Sequence, residues 1–194
     1  RLFTAHPRLD LVHTDFGLCD ADGRSHFSEP RPNTPGVLSG NIFFSLLTSD
    51  PIGTLTVVAR RSALLERGGF GEDRRLIPFE DWELWTRLAY RSEVGYVPEQ
   101  LALHRVHAGN TGTPVETEDY LVFWEHVQTF LRAEDRPQAE VAANRGYWFA
   151  LIHGQRTGLR LLAELPAAVR FIGIGPLIRL FLRTRRRVLT QAFR

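Results

Sequence analysis

Methionine and lysine are both absent, and cysteine occurs once. Without Met even at position 1, these residues are expected to be a piece of a longer protein, with any leader or upstream domain outside view. Cys19 alone excludes an internal disulfide and leans towards a reducing compartment, with an oxidising one left open. All 24 basic residues are Arg, so every cation is a planar fork suited to carboxylate or phosphate. Long apolar runs are missing too. Between Arg170 and Arg179 the chain runs through eight residues that include Pro176, far short of the ~20 a membrane span needs.

What is present is an ordinary globular composition, 43% hydrophobic and 24% charged, in 194 residues. That length suffices for one domain, or for a domain and an appendage. The net charge of +2 hides an asymmetry. Residues 1–114 carry 12 Arg against 14 acids, residues 115–194 carry 12 Arg against 8 acids, and from Pro166 onward seven Arg meet no acid. Such a tail is expected either to lie on an anionic membrane surface or to pack as a helix with solvated arginines. Nucleic acid fits poorly, because no aromatics are interleaved with the arginines.

Along the chain, "LDLVHTDFGLCDADG" from Leu9 reads as a strand, an irregular stretch and a turn. "VLSGNIFFSLLTSD" suits a short helix stopped at Asp50-Pro51, and "GTLTVVARR" has the β-branched density of a buried strand. "SALLERGGF" reads as a helix with Ser62 as N-cap and Gly68 or Gly69 as C-cap. In "IPFEDWELWTRL" a helix is expected from about Phe79 to Arg91, with Trp82, Trp85 and Ala89 on one buried face. "VGYVPEQLALHRVH" reads as one or two strands broken at Pro98. Strands alternating with helices predict an α/β layer ending near residue 114. After it come a helix behind the acids of "ETED", a second over Arg136–Thr157, and an apolar, Arg-rich segment from Leu159.

Three features could carry chemistry. Glu80 and Asp81 open the Trp82 helix, where acids commonly just face the positive end of the helix dipole. A general base there would use the same position. His104 and His107 flank Arg105. Residues three apart on a strand point to opposite faces, so the two histidines do not share a metal. One histidine at a strand end is the better ligand candidate. Gly68 and Gly69 end a helix, and would also let a ligand approach backbone closely.

Taken in order, "LDLVHTDFGLCDADG", "LLERGGFGED", "FEDWELWTRLA" and "GYVPEQLALHRVHAGNTG" behind a strand ending Arg60-Arg61 resemble the C-terminal half of family-two glycosyltransferases of the GT-A fold. The resemblance covers residues 1–114 and implies an incomplete α/β GT-A domain that lacks its N-terminal nucleotide-binding half, with residues 115–194 as a helical extension ending in the basic tail. It implies an inverting transferase for polysaccharide or related synthesis. The donor would be a nucleoside-diphosphate sugar and the acceptor a saccharide, lipid-linked or protein hydroxyl. Asp81 matches the catalytic base and Glu80 its neighbour on the acceptor side, with Gly68, Gly69 and Trp82 along the acceptor site. Arg105 would meet the diphosphate, and His107 would help bind Mg²⁺ or Mn²⁺. The expected location is the cytoplasm, with the tail peripheral at the cytoplasmic membrane face. Gly71-Glu72 replaces the usual Asp-Glu after Phe70, and His104 replaces a common aromatic. "DAD" at 20–22 lies after the wrong strand to be the metal motif, so these residues alone are expected to be inactive. The opposed expectations are a non-catalytic scaffold that keeps the shape, and a metal phosphoesterase using Glu80, Asp81 and His107.

Overall fold

The computed structural model describes residues 1–26, 29–107, 109, 116–153 and 169. A four-residue helix α1 (Leu2–Ala5) leads into β1 (Leu9–Cys19), followed by β2 (Ser25–His26) and α2 (Phe43–Leu46). Then come β3 (Val58–Ala59), α3 (Arg61–Glu66), α4 (Glu80–Ala89), β4 (Glu93–Arg105), α5 (Thr117–Phe130) and α6 (Arg136–His153). The described residues thus form a mixed α/β fold.

β1 is the spine of the sheet. β4 runs parallel to it along its whole length, from Leu9 opposite Glu93 to Cys19 opposite Arg105. Its other edge is shared by β3, antiparallel at Leu11 and Val12, and β2, antiparallel at Leu18 and Cys19. The four strands therefore make a sheet only three strands across. The expected break at Pro98 is a bulge inside one continuous strand: Thr14 pairs with Val97 and Asp15 with Gln100, leaving Pro98 and Glu99 out of the ladder. A residue without an N–H is tolerated where pairing lapses.

Two other expectations are corrected. "GTLTVVARR" is not a buried strand. Thr54–Thr56 is a 3₁₀ turn in which the Gly53 carbonyl accepts both the N–H and the hydroxyl of Thr56, and Val58 is 61% exposed. Local side-chain bonds of this kind compete with a ladder. Ser62 is not the cap of α3; Arg60 holds that position without a side-chain bond. The C-cap is as expected, with Gly68 and Gly69 at positive φ returning their N–H groups to Leu65 and Leu64.

α4 packs against β1, and α2, α5 and α6 join it in one packed body. Trp82, Trp85 and Ala89 are all buried, as the i, i+3, i+7 spacing predicts. In α5, Glu116 and Asp119 form a reciprocal capping box, and Tyr120, Phe123, Trp124 and Val127 turn inward. α6 brings small residues, Ala139, Ala142, Ala143 and Ala150, together with Tyr147. One hydrophobic cluster runs from Leu11 through α2 and α4 to Leu151. The change of composition near residue 115 is therefore not a boundary between cores.

Gly146 of α6 packs tightly against the end of α2 and against α5. A methyl group there would run into the Leu47 carbonyl oxygen and the Tyr120 hydroxyl, which are bonded to each other. Overpacking against backbone costs ~1–3 kcal/mol. Gly146→Ala is expected to lose that much in urea denaturation, while Val141→Ala on the exposed side of α6 stays within about 0.5 kcal/mol. Equal effects would show that α6 does not dock through Gly146.

Among the described residues no helix is long and apolar enough to cross a membrane. The end of the second extension helix and the basic tail, residues 166–194, lie outside the described residues apart from Val169.

Candidate functional site

The inward row of β1 starts apolar and turns polar: Leu11, then His13, then Asp15. Ligand sites of open α/β sheets gather at the carboxyl ends of parallel strands, which is where this row leads. His13 is fully buried, with Nε2 donating to the Leu38 carbonyl at 2.8 Å and its ring 4.9 Å from that of Tyr96. Burial lowers its pKa and keeps the imidazole neutral.

Asp15 is 5% exposed. Its Oδ2 accepts the backbone N–H of Arg31 at 2.7 Å, and its Oδ1 accepts from Arg31 Nε at 3.1 Å. Burial pushes this carboxyl up, but the N–H and guanidinium of Arg31 outweigh it and hold the pKa below its ordinary value. Tyr96 from β4 donates to the Arg31 carbonyl at 2.9 Å, and Arg31 Nη1 reaches on to the Pro51 carbonyl at 3.0 Å.

That contact brings in Asp50–Thr54. Asp50 Oδ1 accepts the Ile52 N–H at 2.9 Å, and Thr54 donates its hydroxyl to Asp81 Oδ2. Asp81, half-buried at the second position of α4, also accepts the Trp82 N–H at 2.7 Å through Oδ1. It therefore satisfies one free donor of the helix start and is aimed by two bonds. Each oxygen keeps a further lone pair for a ligand. Glu80, beside it, is half-buried and its Oε2 is buried without a hydrogen-bond partner.

Asp50 is the most perturbed acid here. Burial of its carboxyl, with the Asp81 charge adding to it, outweighs the Ile52 N–H and pushes the pKa up to about 7. The folded state thus binds this proton more tightly than the unfolded chain. Between about pH 4 and pH 7 stability falls as pH rises, and it levels off above that window. The full gap is worth at most about 4 kcal/mol, and partial solvent access reduces that to ~2 kcal/mol. Asp50→Asn keeps an acceptor for Ile52 and carries no charge. It is expected to be ~2 kcal/mol more stable than wild type near pH 8 and no more stable near pH 4, by denaturation at the two pH values. A gain that is the same at both would refute the assignment.

The remaining expected site residues lie elsewhere. Trp82 is 4% exposed, its indole N–H donates to the Leu46 carbonyl at 2.7 Å, and it stacks on Phe123 at 4.6 Å. Its indole is part of the core. Gly68 and Gly69 belong to a loop tied to α4 by Arg87, whose guanidinium bonds the Arg67 and Gly69 carbonyls and both oxygens of buried Glu83. At ~100° per residue, Glu83 and Arg87 point ~120–160° around α4 from Asp81. A cavity of about 330 Å³ between this loop, α4 and α5 is lined by Gly68, Glu72, Arg87, His126 and Thr129, on that other side.

Arg105 and His107 sit at the rim. Four residues of strand, ~13 Å, separate Asp15 from Cys19, the partner of Arg105. Arg105 Nη1 donates to the Asp20 and Ala21 carbonyls at 3.1 and 2.8 Å and closes the Asp20–Gly23 turn. His107 is exposed, and its Nδ1 accepts the Gly109 N–H at 3.0 Å. Among the described residues no three His, Cys, Asp or Glu side chains are grouped to hold a metal ion. They do not by themselves make a site for Mg²⁺ or Mn²⁺.

Asp15, Arg31, Asp50 and Thr54 were not singled out by sequence. An acid in phase with Leu11 and His13 on an inward strand face was the available signal. No protein-family model matches the chain, and no curated protein matches it.

Proposed function

We propose that this chain is the acceptor-side half of an inverting glycosyltransferase of GT-A type, acting on a nucleoside-diphosphate sugar with Asp81 as general base. The observation that carries the reading is the aim of Asp81. Its carboxylate stands at the start of α4, held by the Trp82 N–H and the Thr54 hydroxyl. Two such bonds fix the carboxylate in place and leave each oxygen a lone pair to meet a bound hydroxyl.

In the reaction, an acceptor hydroxyl binds an open lone pair of Asp81 and gives up its proton to that oxygen. The acceptor oxygen forms a bond to the anomeric carbon while the bond from that carbon to the diphosphate oxygen breaks. The pair of electrons leaves with the diphosphate, and a single displacement inverts the centre. The developing charge resembles the oxocarbenium ion of glycoside hydrolysis. Asp15 and Arg31 form the wall that fixes the Asp50–Thr54 segment, and hence the hydroxyl that orients the base.

The test is release of nucleoside diphosphate from a panel of nucleoside-diphosphate sugars, using the longer polypeptide that includes a nucleotide-binding half and saccharide acceptors. Release that needs both donor and acceptor supports the reading. A folded polypeptide that binds a donor and turns over none of the panel, with any acceptor class, would overturn it.

A further inference from the structure

β4 is an edge strand of 13 residues. β1 pairs with one of its sides, and among the described residues the other side carries one bridge, from Val94 to Gly40. Such an edge is a template for another chain unless charges, proline or bulges blunt it. Here Pro98 and Glu99 lie at one end of the outer half and Arg105 at the other. Between them runs Gln100-Leu101-Ala102-Leu103-His104, with no acid and no Arg. Leu101 is 65% exposed and Leu103 42%, and Val106 just beyond is 50% exposed. β1 pairs with Gln100 and Ala102 but passes over Leu101, so no residue of β1 stands opposite that side chain.

This edge is complementary to itself. Laid antiparallel on a second copy with Ala102 facing Ala102, it sets Leu101 opposite Leu103 and Gln100 opposite His104. Glu99 then falls opposite Arg105, and Pro98 opposite Val106. By symmetry each of these pairs occurs twice. Opposite residues of antiparallel strands share a face at ~4.5–5.5 Å, where apolar pairs and opposite charges stabilise the ladder. Neighbouring registers lose the match: a centre at Leu101 sets Glu99 on Leu103, and a centre at Leu103 sets Leu101 on Arg105. The Asp20 and Ala21 carbonyls hold Arg105 Nη1, which fixes the cation at its end of the edge.

We propose that two copies of this chain join through β4, antiparallel and centred on Ala102, into one continuous sheet. A second copy is the occupant because the edge itself supplies the apolar pair and the counter-charge that the edge needs. Two sheets three strands across become one of six. The joint does not depend on the glycosyl-transfer reading.

The experiment is sedimentation velocity of the 194-residue chain over a concentration series. A dimer is expected by ~100 µM chain. Glu99→Arg places like charges opposite Arg105 at both ends and is expected to weaken the dimer ~10-fold or more. Arg105→Glu does the same with the other sign. Mixed together, the two variants regain opposite charges at both ends, and the mixture is expected to dimerise as wild type does. A chain that stays monomeric throughout the series would overturn the proposal. So would a dimer that Glu99→Arg leaves at full strength, or a mixture no stronger than its parts. The register is read by Ala102→Cys, which brings two thiols face to face. Oxidised glutathione is expected to link this variant into disulfide dimers, while Gln100→Cys, with its thiols ~13 Å apart, stays unlinked. Cys19, 4% exposed, sets the same background in both. Equal linking of the two variants, or of neither, would overturn the pairing. Should Arg105→Glu fail to fold, Glu99→Arg and the cysteine pair decide.

Discussion

Asp81→Asn is expected to lower kcat by ~10²–10⁴-fold while leaving donor binding largely as it was. The amide has the shape of the carboxylate, so its oxygen can still accept from Thr54 or from the Trp82 N–H. What it cannot do is take the acceptor's proton. Loss in kcat with an unchanged donor affinity is the pattern of an interaction made only in the transition state. Asp81→Glu provides a second comparison, because one extra methylene moves an intact carboxylate off the two bonds that aim it. Its rate should fall as well, by less than that of Asp81→Asn. Near wild-type kcat in Asp81→Asn would remove Asp81 from the role.

Trp82→Ala is expected to cost ~3–5 kcal/mol of stability, the range for deleting a large buried aromatic. Trp82 meets Phe79, Tyr120 and Phe123 and ties α4 to α2 through the Leu46 carbonyl. Alanine would leave a cavity and a buried carbonyl that has lost its donor. Trp82→Phe separates the two effects, keeping the ring and losing the bond, at ~1–2 kcal/mol. Equilibrium denaturation reads both. The same residue's backbone N–H holds Asp81, so loosening this core should also blur the site it supports. A loss below about 1 kcal/mol in Trp82→Ala would mean that the aromatic stack between α4 and α5 is not the centre of the fold.

The parts legible in the sequence are those with a local period. The tryptophan stripe of α4, the aromatic stripe of α5 and the glycine stop of α3 follow from helical spacing and cap chemistry, and the structure has them. The parts that were not legible depend on partners distant in sequence. Asp50 reads as a helix stop before proline; its perturbation comes from burial and from a residue 31 positions later. Arg31 sits in a proline-rich loop, and nothing near it announces the bond to Asp15. Pro98 reads as a break because pattern alone cannot show a bulge that carries the strand past it. Trp82 shows how one spacing argument can serve two roles. Its place beside Asp81 suggests a ligand contact, while its place in the stripe predicts burial, and burial is what the structure has. The chain of bonds from Asp15 through Arg31 to Pro51, and from Thr54 to Asp81, is a property of the fold, which no short motif spells out.

The central claim is that this site passes a sugar to a hydroxyl in a single displacement assisted by Asp81. The most direct test is the anomeric configuration of the first product formed by the longer polypeptide, followed by proton NMR before mutarotation or side reactions intervene. Inversion relative to the donor, lost together with product in Asp81→Asn, is the result predicted. Retention of configuration, or inversion undiminished in Asp81→Asn, would contradict the account.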